Sequence, residues 1–126
     1  MANFANLQPI WSSDLALSAE PTVDWIWQGY IAPGNVTLLT GLWKAGKTTL
    51  LALLLARRKH GGKLAGLDVK PGKTLVVTEE DSSLWAQRGR RHNFGDQVLL
   101  ISRPFNRIPS EEQWQALLDE IRATGR

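Results

Sequence analysis

The fold is decided by the segment Gly41-Leu42-Trp43-Lys44-Ala45-Gly46-Lys47-Thr48, a complete G-x-x-x-x-G-K-T pattern. The preceding residues Val36–Thr40 form a short apolar run that predicts a buried strand. Strong helix formers follow the pattern, which predicts a helix from about Lys47 to His60. That helix is apolar nearly all round, so we expect it to be packed between a sheet and another layer. A glycine loop between a strand and a helix is the setting in which this pattern binds phosphate.

Each part of the loop has a chemical reason to bind a nucleoside triphosphate. Gly41 and Gly46 allow a tight turn that brings backbone N–H groups close to phosphate oxygens. The following helix points its unpaired N–H groups and the positive end of its dipole at the same anion. Lys47 reaches the β and γ phosphates, and the Thr48 hydroxyl holds Mg²⁺. The predicted site for ATP and Mg²⁺ comprises Gly41, Leu42, Trp43, Lys44, Ala45, Gly46, Lys47, Thr48 and Thr49.

A second candidate site follows the strand predicted over Thr74–Thr78, which runs directly into Glu79-Glu80-Asp81. The carboxyl ends of strands in an open α/β sheet border the crevice where ligands bind. A carboxylate there can orient and deprotonate the water that attacks the γ-phosphate. Alternatively, these acidic residues only begin the helix predicted from Ser82 to about Arg91, with Asp81 as its cap. The residues alone leave both interpretations open.

The remaining pattern indicates a parallel α/β sheet with flanking helices, of which about three core strands are present. Val98–Ile101 is the third predicted strand, and residues 64–72 are predicted to be a loop. Ser110–Gln113 forms a capping box that opens a last helix, closed by Gly125. Trp114 starts an apolar stripe on that helix with Leu117, Leu118 and Ile121, so it is predicted to lie in the core. Strands that alternate with helices and are continuously apolar are typical of parallel sheets.

Length and composition narrow the class of protein. A chain of 126 residues buries one modest core, which we divide into an arm over residues 1–20 and a domain over residues 21–126. Its net charge of +3 is too small to indicate nucleic-acid binding by itself, and the absence of Cys excludes disulfides and thiol catalysis. The start of the chain lacks a signal-peptide pattern, and its longest apolar stretch is too short to span a bilayer. We therefore expect a cytoplasmic protein without a membrane partner.

Three segments resemble a known family. Residues 25–41 resemble the entry of RecA-like ATPases of the AAA group that includes RepA-type plasmid helicases. Residues 74–81 resemble the second strand of that group, which ends in Glu-Asp, and the doubled Glu is similar to the paired glutamates of KaiC-like and RadA-like relatives. Residues 99–104 are similar to the strand and turn that follow in RecA itself. The likeness covers about residues 21–124.

This resemblance implies an ATPase that forms a homo-oligomeric ring or filament and acts on DNA, in replication, repair or recombination, with a helicase-like character. By the same resemblance Glu80 takes the position of the catalytic glutamate, with Glu79 as second choice, beside the catalytic Lys47. The Walker B element of such enzymes, an apolar strand ending in Asp that holds Mg²⁺, is not found after the loop. We therefore expect the chain to be the N-terminal part of a longer domain and not to hydrolyse ATP alone.

Two alternative functions stay open at this point. A P-loop phosphotransferase shares the phosphate loop but passes the γ-phosphoryl group to a small molecule, and a truncated module binds nucleotide without catalysis. GTPase identity is disfavoured but also stays open, because its base-reading N-K-x-D motif would lie after Arg126.

Several basic and aromatic side chains also have two interpretations. Arg88, Arg90, Arg91 and His92 either meet DNA phosphates or an adjacent subunit, or form a solvated helix face. Lys44 either touches a γ-phosphate or is solvated. Trp43 either stacks on a base or a neighbouring subunit, or packs on nearby structure.

Overall fold

The computed structural model describes residues 7–15 and 22–125. Their elements are α1 (Ser12–Leu15), α2 (Lys47–Arg57), β1 (Gly62–Leu64), β2 (Leu67–Val69), β3 (Thr74–Thr78), α3 (Ser82–His92), β4 (Val98–Ser102) and α4 (Glu111–Thr124). Of the predicted arm, residues 7–15 are exposed and contain α1, while residues 1–6 and 16–20 lie outside the described part. None of the helices in the described ranges combines the length and apolar character that crossing a membrane requires.

The central sheet is a parallel pair, as the strand and helix pattern predicts. Strand β3 pairs with β4 in a register that aligns Thr74 with Val98 and Thr78 with Ser102. Helix α3 forms the connection between the two strands, which is the usual way to join parallel neighbours. Because the register is in step, the carboxyl ends of both strands lie side by side. The predicted crevice is therefore bordered by the residues that follow Thr78 and Ser102.

Helix α2 is buried on two sides, which confirms the prediction from its all-round apolar character. One side packs Ala52 and Leu55 against Trp85 of α3 and Phe94. The opposite side packs Leu54 in a second cluster with the buried side chains Trp27, Leu64 and Val69. The helix is three residues shorter than predicted, because Arg58 already serves as its C-cap.

The predicted loop over residues 64–72 is wrong in its first half, where the chain forms an antiparallel hairpin. Strands β1 and β2 pair Gly62 with Val69 and Leu64 with Leu67. The two turn residues, Ala65 and Gly66, have φ angles of 53° and 76°. Positive φ at both central residues matches the right-handed twist of a tight hairpin. The indole N–H of Trp27 donates to the Leu64 carbonyl at 3.2 Å and ties the hairpin to the core.

The strand predicted over Val36–Thr40 is also wrong, because residues 35–42 have no regular structure. In the described ranges the partner of β3 is β4, and residues 36–40 join no ladder. The side chain of Val36 is 98% exposed, and that of Leu38 is also exposed. The Thr37 hydroxyl donates to the Tyr30 carbonyl, which holds the segment locally. An apolar run records a tendency to be buried, but a strand also needs a neighbour to pair with.

The helix caps agree with the sequence. Asp81 is the N-cap of α3 and accepts a hydrogen bond from the Ser83 N–H at 3.4 Å. Ser110 and Gln113 form both hydrogen bonds of the predicted capping box at the start of α4. Gly125 follows the helix as its C-cap.

The prediction that Trp114 lies in the core is wrong. Its side chain is 51% exposed and makes an edge contact with Phe105, with ring centroids 4.9 Å apart. No residue of α4 is buried, but Leu117 and Ile121 are half-buried and Ile121 lines a cavity with residues of β3 and β4, so the apolar stripe is only partly covered within the described residues. Helical spacing identified the apolar face correctly but not what covers that face.

We predict that Leu54→Ala lowers the free energy of unfolding by about 2–5 kcal/mol, because removing this buried side chain leaves a cavity between α2 and the hairpin. Leu51→Ala is the matched control, since Leu51 is on the same helix but 41% exposed, and it should cost about 1 kcal/mol or less. Urea unfolding of the three proteins measures the difference. Equal losses would contradict the two-sided burial of α2.

Candidate functional site

The glycine loop enters α2 in a conformation suited to binding an anion. Gly46, the N-cap of α2, has a φ of 94°, which favours glycine because a side chain would be strained there. No side chain of the described residues caps this helix start. The first backbone N–H groups of α2 are therefore available, together with the positive end of the helix dipole. Phosphate is the ligand that this arrangement favours.

Lys47 is held across the mouth of the loop. Its ammonium Nζ donates to the carbonyl oxygens of Gly41 at 2.8 Å and Leu42 at 2.9 Å. Residues 43–49 line a cavity of about 360 Å³ beside it. A chain of phosphate groups needs a concave backbone surface, free N–H donors and a cation, and the loop supplies all three. The loop residues predicted from the sequence therefore fit a nucleoside triphosphate.

Thr48 lies where three cavities meet. It lines the loop cavity, a groove between α2 and β3, and a smaller polar cavity between α2 and α3. In the described residues no group of three or more His, Asp or Glu side chains is placed to bind a metal ion. Mg²⁺ is commonly bound by few protein ligands together with substrate phosphates and water. The Thr48 hydroxyl beside the phosphate cavity fits that mode of binding.

The groove between α2 and β3 joins the two candidate sites. It has a volume of about 590 Å³ and mostly apolar walls. Thr48 and Glu80 line it at the end where α2 begins and β3 ends, while Arg58 and Lys73 line the opposite end. The loop and the acidic segment, more than thirty residues apart in sequence, thus meet at one end of one groove.

Glu80 is fixed at its backbone and at its side chain. Its N–H donates to the Thr78 hydroxyl at 3.1 Å, and its carbonyl accepts from the Ser102 hydroxyl at 2.6 Å. Its carboxylate oxygens accept one hydrogen bond each from the two terminal nitrogens of Arg88, at 3.0 and 2.9 Å. The Arg88 guanidinium lowers the pKa of the Glu80 carboxyl, although partial burial acts in the opposite direction. Glu80 is therefore ionised at neutral pH.

Glu79 is placed differently from its neighbour. Its side chain is exposed and does not line the groove. Its carbonyl accepts a hydrogen bond from the Arg103 Nε at 3.2 Å, so this residue contributes to the strand ends through its backbone. Asp81 caps α3, as the alternative interpretation of the acidic segment predicts, and hydrogen bonds from Ser83 lower the pKa of the Asp81 carboxyl. The segment thus both begins a helix and places one of its residues, Glu80, in the lining of the groove.

The basic residues of α3 differ in how far they are buried. Arg88 is half-buried against Glu80, whereas Arg90 and Arg91 are exposed. Sequence reasoning grouped these residues by charge and missed the pairing of Arg88. The available signal was its spacing of three residues from Trp85, which places both on one face of α3.

At the tip of the loop, the Lys44 ammonium lies 4.5 Å from the centre of the Trp43 ring. The Trp43 side chain is 86% exposed, so packing on nearby structure is not what holds it.

A glycine loop that opens an uncapped helix beside parallel strands defines a P-loop nucleotide-binding domain. The comparison with protein families agrees: residues 2–125 match the model of the AAA domain family. The chain therefore belongs to the AAA domain family and is a nucleotide-binding P-loop NTPase domain.

Curated relatives share shorter stretches of sequence. The chain is 37% identical over 92 residues to ABC transporter G family member 17 of Dictyostelium discoideum, covering 73% of this chain and 6% of that protein. It is 47% identical over 53 residues to ABC transporter G family member 15 of the same organism, covering 42% of this chain and 4% of that protein. The chain thus spans only a small part of the length of these relatives. No solved structure matches it.

We predict that Lys47→Ala weakens nucleotide binding by about 10- to 100-fold in Kd, because each charge-assisted hydrogen bond to phosphate contributes about 1.5–3 kcal/mol. Titration with a fluorescent ATP analogue measures the affinity. Lys63→Ala is the matched control, since that lysine is exposed on the hairpin and pairs with Asp68. Equal affinity of the Lys47 variant and the unaltered chain would contradict the phosphate-binding role of the loop.

Proposed function

We propose that this P-loop NTPase domain belongs to a RecA-like ATPase that binds ATP with Mg²⁺ and hydrolyses it with Glu80 as the residue that orients the attacking water. The single observation that carries the proposal is that Thr48, at the phosphate loop, and Glu80 line the same end of one groove. The subgroup in this proposal is that of the RepA-type helicases and the KaiC-like and RadA-like proteins. The likeness to portions of ABC transporter proteins supports the nucleotide-binding part of the proposal.

The residues divide the work of hydrolysis as follows. Backbone N–H groups of the loop and the Lys47 ammonium bind the phosphates and stabilise the charge that develops on the γ-phosphoryl group. Mg²⁺, held through Thr48, would neutralise charge on the same phosphates. Glu80, ionised and fixed at the carboxyl end of β3, accepts a hydrogen bond from water and directs its oxygen toward phosphorus. Glu79 has no equivalent position, because its side chain is exposed outside the groove.

The wider setting is also part of the proposal. We infer a protein that acts on DNA in replication, repair or recombination, with a helicase-like action, and that forms a homo-oligomeric ring or filament in the cytoplasm. The exposed cations Arg90 and Arg91 on α3 support contact with an anionic polymer. The exposed apolar side chains of Val36, Leu38 and Leu42 support association with another protein surface.

We predict that Glu80→Gln preserves nucleotide affinity and slows hydrolysis by about 100-fold or more, the scale expected when a general base is removed. The measurement is the single-turnover rate of ATP hydrolysis by the full-length protein. Glu79→Gln is the matched control, with the same chemical change one residue away, and it should hydrolyse ATP normally. A slow Glu79 variant beside a normal Glu80 variant would exchange the two roles, and two normal variants would remove the acidic segment from catalysis.

A second prediction concerns DNA. Replacing Arg90 and Arg91 together with Ala should weaken the binding of single-stranded DNA by the same full-length product and reduce the salt dependence of that binding. The reason is that fewer counterions are released when fewer phosphates are neutralised. Fluorescence anisotropy at several salt concentrations gives both quantities. An unchanged affinity and salt slope would mean that α3 is a solvated face.

A further inference from the structure

Arg88 and Glu80 form a pair whose geometry is more restrictive than a surface ion pair. Both terminal nitrogens of the guanidinium contact the carboxylate, one oxygen each, at 3.0 and 2.9 Å. This two-bond arrangement fixes the plane of the carboxylate as well as its position. By contrast, the Arg122 and Asp119 side chains on α4 approach to 3.8 Å and are largely exposed. The pair at Glu80 thus defines one orientation for a carboxylate that also lines the groove beside Thr48.

The guanidinium is itself held in place by Trp85. The Arg88 guanidinium carbon lies 4.9 Å from the centre of the Trp85 ring, at a cation–π distance. Trp85 is buried in the core between α2 and α3, so its ring cannot move without disturbing that packing. Its buried indole N–H lies close to the Glu80 carboxylate and also lowers the pKa of that carboxyl, by less than Arg88 does. Trp85 therefore provides a fixed surface for Arg88 and a second polar neighbour for the carboxylate.

The Arg88 side chain also faces a second cavity. It lines the polar cavity of about 300 Å³ between α2 and α3, together with Thr48 and Thr49. The groove with Glu80 and this polar cavity share Thr48 as a lining residue. Arg88 thus binds the Glu80 carboxylate and also borders a cavity that the first turn of α2 lines.

We propose that Arg88 is a positioning residue, which orients the Glu80 carboxylate for its contact with the attacking water. This inference rests on the proposed role of Glu80 in hydrolysis and deepens it. A purely structural role, in which the pair only secures the start of α3, is the competing explanation. The start of α3 already has its own cap in Asp81, so the helix does not need the Arg88 pair to begin.

The first test measures the pair without hydrolysis. The 126-residue chain is labelled with ¹³C at the glutamate carboxyl carbons, and the signal of Glu80 is assigned by its loss in Glu80→Gln. We expect this carboxyl to titrate below the ordinary glutamate range and to return to that range in Arg88→Met, which keeps a similar side-chain length without the charge. Arg122→Met, which removes an arginine from the exposed pair on α4, should leave the Glu80 titration unchanged. A Glu80 titration that is the same with and without Arg88 would overturn the inference.

The second test measures the rate of ATP hydrolysis by the full-length protein and its dependence on pH. Arg88→Met should lower kcat by about 10- to 100-fold, the scale of a misplaced reacting group, while nucleotide affinity stays unchanged. The acidic limb of the pH–rate profile should move to higher pH, because the carboxylate of the variant is protonated more easily. Arg88→Lys should restore the acidic limb but not the full rate, since an ammonium supplies the charge without the planar two-bond contact. A merely structural role would change stability without moving the acidic limb.

Trp85→Phe tests the same pair in a protein that keeps Arg88. It retains an aromatic surface for the guanidinium and removes the indole N–H. It should move the acidic limb far less than Arg88→Met does, because the indole N–H is a smaller cause of the lowered Glu80 pKa than Arg88. A limb shifted as far as in Arg88→Met would overturn the assignment to Arg88. Glu80→Gln distinguishes a failure of the role of Arg88 from a failure of the proposed function. If that variant is slow while Arg88→Met is normal in rate and profile, only the role of Arg88 falls. If Glu80→Gln itself is normal, the proposed function and this inference both fall.

Discussion

The geometry of the candidate site depends on how Arg58 fastens the end of α2 to the start of β3. Its guanidinium donates to the Thr74 hydroxyl at 3.0 Å and to the carbonyls of Lys70 at 2.8 Å and Lys73 at 3.0 Å. Gly72 makes this close approach possible, because a Cβ there would lie 2.4 Å from an Arg58 nitrogen. Eleven helical residues and five strand residues each span about 16 Å. With one end fixed by Arg58, the other end therefore brings Thr48 level with Glu80.

The elements that the sequence predicts well are those whose signals are local. Strands β3 and β4 follow from continuous apolar runs, and α3 and α4 from the caps Asp81 and Ser110. The wrong predictions concern which segments pair as strands and which apolar faces are covered. Residues 36–40 have the composition of a buried strand but no partner within the described residues. Trp114 lies on an apolar face that the described residues cover only in part. The hairpin of β1 and β2 was missed because three-residue strands are too short to show an alternating pattern.

The same distinction applies to the site. The phosphate loop can be predicted because its N–H donors, its cation and its hydroxyl are consecutive in the chain, so local geometry alone brings them together. The acidic segment could be placed at the crevice, but the choice between Glu79 and Glu80 depends on which side chain faces α2 at the end of the strand. The pairing with Arg88 depends further on the rotation of α3 about its axis. Packing of Trp85 in the core sets that rotation, and the local pattern shows only that Arg88 lies on the same helix face as Trp85.

The lowered pKa of the Glu80 carboxyl has a chemical consequence for the proposed contact of this residue with water. A carboxylate whose proton affinity is reduced by Arg88 is a weaker base, which alone would slow proton removal. Phosphoryl transfer, however, passes in most analyses through a loose transition state with little bond formation to the attacking oxygen, so that catalysis depends mainly on position and electrostatics. Orientation of the water is then worth more than early removal of its proton. In the proposed hydrolysis, an arginine that fixes the plane of the carboxylate therefore improves the orientation of the water, on which the rate depends most. The basicity that the carboxylate loses in the same pairing matters less to that rate.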